Sequence, residues 1–314
     1  MGLSNIATGF VLTCVAALGG LSGTGAQAQD RTVQFAVVDH MAQTRWQKSG
    51  YVLREAGRSI GPEIKGIVRM PIDYKREFAL GALGVGALML IDRPVTEFYQ
   101  DNIESAFDGF ALPKHPLKDK LNISGVANED LWLLTGVAGL YGYGLVADDT
   151  RAQRAAILSA KAVAYSYAAS HLVLKSVIGR KRPYGDLSSR GNQEGDVYTT
   201  DPLDFGNYHG VSLAPDGYGT AMPSYHFTEY FSVAHVLSRS YDNSWVPYGL
   251  ATVLAVSNIR GHNHWASDMV AGTLLGIGIG EVLWRTNQDM QRGQMSFEPQ
   301  VSKDLVGLTM RMEF

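Results

Sequence analysis

Three short stretches of this chain concentrate side chains able to hold an anion and move a proton. The first runs from Lys175 to Pro183 and gathers four cations, Lys175, Arg180, Lys181 and Arg182, in eight residues. The second is Pro223-Ser224-Tyr225-His226, and the third runs from Ser257 through Asn258, Arg260, His262 and His264 to Asp268. Arginine brings a fork of donors that fits an oxyanion, and lysine brings a point charge. Placed at the end of an apolar helix, the same cations would simply cap it. Pro223 reads as the first-turn proline of a helix with Ser224 at its N-terminus, where backbone N–H groups face anions. An ordinary serine cap is the alternative. His226, one turn in, is a proton donor or a surface histidine. His264 and Asp268 are four residues apart, which puts them on one helical face. A carboxylate there can hold the imidazole Nδ1–H, fix its tautomer and favour the imidazolium, or it can form a plain ion pair. His262 and His264 with Asp268 also offer an H-x-H plus carboxylate set of the kind that binds zinc, without a further clustered ligand.

The elements that would position these residues are mostly helical. Residues 78–91, 131–147, 246–259 and 269–280 are each free of charged side chains. Each is shorter than the ~20 apolar residues of a membrane span. They read as buried helices of a soluble bundle, with short or shallow membrane helices as the rival. Gly136, Gly139 and Gly142 form one small-residue stripe, and Gly272, Gly276 and Gly280 another. Glycine weakens helices, so its repetition predicts close backbone contact. A long amphipathic helix is expected after Asp148 and Asp149, with Leu158, Ala162, Tyr165, Ala169 and Leu172 inward and Gly179 at its end. Residues 184–222 read as a solvated functional or mobile insert. Val306, Leu308, Met310, Met312 and Phe314 alternate with polar or small residues, the pattern of a half-buried strand or hairpin.

Composition narrows the classes. The chain has 314 residues, 46% hydrophobic and 18% charged, and a net charge of −3. This is not a disordered composition, and no basic excess exists to neutralise nucleic-acid phosphates. Residues 1–28 carry no charged side chain and end in Ala26-Gln27-Ala28, the layout of a secretory signal peptide. The only cysteine, Cys14, lies inside that segment. A mature chain from residue 29 would have no disulfide and no cysteine nucleophile, and export to the periplasm or cell envelope is expected.

Taken in order, the three stretches read K-x6-R-P, P-S-x-H and H-x3-D. This resembles the type 2 phosphatidic acid phosphatase and vanadium haloperoxidase superfamily, over roughly residues 128–285. The resemblance implies an all-α fold, a helical bundle of the acid phosphatase/haloperoxidase type, to which the alternating tail adds a short C-terminal β strand or hairpin. The expected organisation is a signal peptide at 1–28, an N-terminal helical extension at 29–127, the core at 128–285 and a strand tail at 286–314. It also implies hydrolysis of a phosphate monoester or pyrophosphate with no metal and no cofactor. His264 would attack phosphorus, Asp268 would orient it, and His226 would protonate the leaving oxygen. Lys175, Arg182, Ser224 and the N–H groups near Tyr225 would hold the phosphoryl oxygens. Two positions depart from the family pattern. Tyr225 stands where glycine is usual, adding bulk that would narrow the pocket or stack on a substrate. Asn258 stands where arginine is usual, which makes Arg260 a candidate replacement. A vanadate-dependent haloperoxidase and a catalytically impaired envelope protein of the same fold are the alternatives. The expected partner is a phosphorylated small molecule or lipid, with a lean to a lipid-linked phosphate and contact with a membrane surface, and not a nucleic acid.

Overall fold

The computed structural model describes residues 44–107, 109–121, 126–190, 197–208, 210–211, 220–257 and 263–293, and the backbone of strands 13–16, 295–302 and 305–312. It is an all-α architecture with few strands. The first helices are α1 (Arg45–Arg58), α2 (Ile60–Asp73), α3 (Lys75–Met89) and α4 (Asp92–Phe98), the last continuing as a wider, π-wound stretch Tyr99–Glu104. After the short α5 (Lys118–Leu121) come α6 (Asn128–Val146) and α7 (Thr150–Ser166). Then follow α8 (Lys175–Ile178), α9 (Leu187–Arg190), α10 (Tyr225–Tyr241), α11 (Trp245–Ser257) and α12 (Ala266–Gly293). One compact unit spans Arg58–Thr286, and a second takes Met1–Gly57 with Asn287–Phe314.

Local chemistry explains the helix that leads to the site. The Asp149 carboxylate accepts the N–H groups of Arg151 and Ala152, at 2.9 and 3.1 Å, and so starts α7. A π-wound stretch, Tyr167–Leu174, then joins α7 to α8. Gly179, at φ +57°, ends the helix in the left-handed conformation, as expected. A Cβ there would also lie 2.7 Å from the backbone of Asn207, so only glycine fits.

The core lies between α6, α7, α10 and α12. Val137, Leu158, Ala162, Val233, Val236, Ile279 and Leu283 close it, with Ile67 of α2 packed alongside. Leu158 and Ala162 are thus on the inward face that their spacing predicts. The α12 glycines make the expected close approach. A Cβ on Gly272, Gly276 or Gly280 would fall 2.5, 2.3 or 2.7 Å from a carbonyl oxygen of α10 or its N-cap residue. The α6 stripe does not. Among the described residues nothing lies within 4 Å of a Cβ on Gly136, Gly139 or Gly142, so equal spacing serves two different environments.

Two other expectations are corrected. The uncharged helices are not all buried. Leu80, Leu83 and Leu90 around α3, and Trp245, Val246 and Leu250 of α11, are exposed, and Val85 is the one buried residue of α3. On α2, Ile60, Ile64, Val68 and Ile72 repeat every four residues along one exposed stripe. Lack of charge marks an apolar helix but does not say what covers it. Nor is the insert after Pro183 wholly solvated. Leu187 and Ala221 are buried with Trp265 in a small cluster of their own. β2 (Arg182–Pro183) pairs in parallel with β3 (Tyr198–Thr199) inside it.

The C-terminal alternation is a hairpin. β4 (Met295–Ser302) and β5 (Leu305–Met312) pair antiparallel, with Ser302 opposite Leu305 at the turn. β1 (Thr13–Ala16), which lies within the segment expected to be a signal peptide, pairs antiparallel with β5. Among the described residues, one helix, Ala266–Arg292, is long and apolar enough to cross a membrane. The pair Lys75–Met89 and Asp92–Glu104, bent by 77°, would make a second if it counted as one broken span.

Candidate active site

The three sequence stretches meet at Asp268. Its main-chain oxygen accepts the Ser224 N–H at 3.0 Å, which ties the start of α10 to the start of α12. Its Oδ1 accepts Arg180 Nη1 at 2.5 Å, which ties in the first stretch. Its Oδ2 accepts the Trp265 N–H at 2.9 Å and lies 3.6 Å from His264 Nδ1. His264 precedes α12 rather than sitting on its face. The pair is therefore built as a turn, in which the third residue of the helix reaches back to the N–H before it. The four-residue spacing is met by a cap, not by a helical stripe. Trp265 locks the turn, its Nε1–H donating to the Lys181 carbonyl at 3.0 Å.

Arg180 holds this arrangement from below. It is fully buried, and all its donor nitrogens are engaged. Nη1 also donates to Ser267 Oγ at 2.7 Å. Nη2 donates to Asp92 Oδ2 at 2.7 Å, and Nε to the Pro202 carbonyl at 2.9 Å. Asp92 opens α4 and caps α12, its Oδ1 accepting the Ser267 N–H at 3.0 Å while Oδ2 also takes the Ser267 hydroxyl. Thr96 Oγ1 accepts the Ala266 N–H at 3.0 Å. The opening N–H groups of α12 are thus taken by protein acceptors, so its N-terminus is not where an anion binds.

Burial raises the Asp268 carboxyl and the Asp92 charge adds to this. Arg180 and the Trp265 N–H pull it back, and the result is a value pushed up to about 6. The Arg180 guanidinium and the Trp265 N–H hold Asp268 toward its ionised form against burial.

α10 differs from α12. Ser224 is its N-cap residue by backbone geometry, with φ −65° and ψ 120°, yet its hydroxyl makes no cap bond. The helix begins at Tyr225, so Pro223 stands before the first turn rather than in it. Ser224 Oγ is buried and has no hydrogen-bond partner among the described residues. A buried hydroxyl beside the first N–H groups of a helix fits an anion ligand better than a structural cap. Tyr225 is held by its neighbours. Its ring packs edge-on to Tyr167, with centroids 5.7 Å apart, and its hydroxyl faces the buried carboxyl of Glu229. Burial and that carboxyl push the Tyr225 hydroxyl well above its usual range.

His226 follows, with Nε2 3.6 Å from Asp130 Oδ2 of α6. Lys175 is buried at the end of the α7–α8 helix, and Arg182 is half-buried in β2. Arg260, Asn258 and His262 lie outside the described residues. Of the candidate set, His264, Asp268 and Ser224 are brought together directly. His226 is next to Ser224 but one residue, on the same helix turn. Among the described residues no group of three or more His, Cys, Asp or Glu side chains is placed to hold a metal ion.

Residues 156–292 match the family model described as the PAP2 superfamily. The match supports the PAP2 superfamily. The match contains all three stretches, the whole of α10 and most of α7 and α12. No curated protein and no solved structure matches the chain significantly. Similarity to the PAP2 superfamily supports phosphatase-type activity in general, on a phosphorylated substrate.

Sequence reading missed Asp92, Thr96, Asp130 and the supporting role of Arg180. The available signal was positional. Asp92 follows the uncharged run 78–91, and Glu129 and Asp130 precede the run 131–147. A charge at the end of an apolar run marked Asp92 and Asp130 but not Thr96.

Proposed function

We propose that the chain is a metal-independent phosphoric ester hydrolase that passes its phosphoryl group through His264. The observation that carries this reading is the placement of Asp268. Its carboxylate faces His264 Nδ1, which leaves Nε2 as the nitrogen for phosphorus. In the first step Nε2 attacks, the ester P–O bond breaks, and the leaving oxygen takes a proton from His226. In the second, water attacks phosphorus and gives its proton to His226. The P–N bond breaks, phosphate leaves and His264 is regenerated. Asp268 stabilises the positive charge that appears on His264 as the P–N bond forms. Lys175, Arg182, Ser224 Oγ and the N–H groups that open α10 would hold the equatorial oxygens. Phosphoryl transfer needs mainly such positioning and fixed positive charge.

A lipid-linked phosphate is the favoured substrate. Superfamily members are often membrane-associated. The exposed apolar stripe of α2 and the exposed Trp245, Val246 and Leu250 of α11 suit contact with an apolar surface. The signal-like segment at residues 1–28 supports a location in the cell envelope.

The test is phosphate release by the full-length chain from a lipid phosphate in mixed micelles and from 4-nitrophenyl phosphate, with a chelator present. Turnover that resists the chelator and vanishes in His264→Ala is expected. Preference for the lipid phosphate supports the substrate class. Turnover that survives His264→Ala would overturn the mechanism.

A further inference from the structure

The second histidine has a carboxylate of its own. Asp130 opens α6 and is buried, with Oδ2 accepting the Ala127 N–H at 2.7 Å and Oδ1 accepting the Tyr230 hydroxyl at 2.9 Å. Oδ2 also lies 3.6 Å from Nε2 of His226. The His226 ring is fixed between neighbours, its centroid 5.1 Å from that of Tyr225 and 5.9 Å from that of Tyr230. Nε2 is sealed from solvent. The two histidines therefore present opposite nitrogens. Asp268 faces Nδ1 of His264, and Asp130 faces Nε2 of His226, both at 3.6 Å.

Resting on the proposed hydrolase, we propose that Asp130 is the positioning residue of His226, holding a proton on Nε2 so that Nδ1 exchanges protons with the substrate. The protonated ring gives its Nδ1 proton to the leaving oxygen as the P–O bond breaks. The neutral ring that results keeps its Nε2–H against Asp130. Nδ1 then takes the proton released by water as the P–N bond breaks, so the ring ends as it began.

Asp130 is suited to stay ionised. Burial pushes its carboxyl up, but the adjoining His226, the Ala127 N–H and the Tyr230 hydroxyl outweigh this and hold it below the usual range. Glu229, on the same helix as His226, goes the other way. Burial and the Asp130 charge push it well above the carboxylate range. Of these two neighbouring carboxyls, Asp130 carries the charge. Glu129, beside it on α6, is turned to another partner, accepting the Ser257 hydroxyl at 2.9 Å.

The experiment compares full-length wild type, Asp130→Asn and Asp130→Ala on two esters that differ in leaving group. An alkyl phosphate needs a proton on its leaving oxygen, whereas 4-nitrophenyl phosphate needs little help. General acid help is commonly worth about 100-fold or more, so misplacing the acid should cost about 10-fold or more on the alkyl ester in kcat/KM, which stops at P–O cleavage and leaves out the hydrolysis step that both esters share. On 4-nitrophenyl phosphate the loss should stay within about 3-fold. A loss equal on both esters, or none on the alkyl ester, overturns the assignment. Should wild type cleave neither ester, the proposed function fails, and ¹⁵N-histidine NMR still decides the inference. Neutral His226 is expected with its proton on Nε2, a preference that Asp130→Ala removes. A proton on Nδ1 in wild type, or no change in the variant, contradicts the inference.

Discussion

Replacing Arg180 with methionine keeps most of the volume and deletes the one cation shared by Asp92 and Asp268. Both carboxylates are fully buried and both bond the same guanidinium, at 2.7 and 2.5 Å. Removing one partner of a buried ion pair leaves uncompensated charge and costs about 3–5 kcal/mol. One kcal/mol lowers the melting temperature of a unit of this size by roughly 2–4 °C, so a drop of roughly 6–20 °C is expected. Thermal unfolding of the full-length variant measures it. The Asp268 carboxyl, already pushed up to about 6, rises further without Arg180, so the variant also loses turnover at neutral pH. The double variant Arg180→Met/Asp92→Asn removes the excess charge as well. It should regain a coupling of about 0.5–3 kcal/mol relative to the sum of the single changes. A single variant within about 1 kcal/mol of wild type, or a double variant that regains nothing, would refute the buried-charge reasoning.

Other expected outcomes follow from separate features. Activity should fall as pH drops through about 6, because Asp268 is raised above its ordinary 3.8 and must be ionised to support His264; a pH–rate profile checks this, and Asp268→Asn should remove that acid limb along with most of the rate. Glu281 accepts from His235, Arg239 and Arg285, and these donors outweigh partial burial and hold its carboxyl down at about 2. A depressed carboxyl contributes stability above the ordinary 4.5 that is lost as pH falls toward 2, so Glu281→Gln should be less stable than wild type at pH 7 and converge with it near pH 2 in acid unfolding curves. Gly276→Ala should destabilise by about 1–3 kcal/mol, since the new Cβ would meet the Thr228 carbonyl at 2.3 Å. Gly139→Ala, with nothing within 4 Å, should instead stabilise by up to about 1 kcal/mol in the same denaturation assay.

The contrast between those two glycines shows what the sequence could and could not convey. Local devices were legible. Asp149 as a cap, Gly179 as a left-handed stop and the alternation of β5 each depend on neighbours a few residues away. The three motif stretches were legible too, because hydrolysis of a phosphate ester needs particular residue types at fixed short spacing. Long-range partners were not. Asp92 and Arg180 are 88 residues apart and meet only once α4, the turn after α8 and α12 have packed. Asp130 and Tyr230 are 100 residues apart. Spacing also misleads where two local structures share it. His264 and Asp268 at four residues suggest a helical face, but the fold uses a turn closed by a carboxylate. Apolar composition has the same weakness. It marked α3 and α11 as helices, yet nothing in a run such as residues 78–91 tells a face against protein from one left exposed.

The most direct measurement is to quench the full-length enzyme during turnover at alkaline pH, where phosphohistidine persists, and to map the phosphate by mass spectrometry. Phosphate should be found on the peptide carrying His264, on that residue, and be absent from His264→Ala. Sustained phosphate release by wild type with no phosphate on His264 at any time during turnover would contradict the assignment of His264 as the nucleophile.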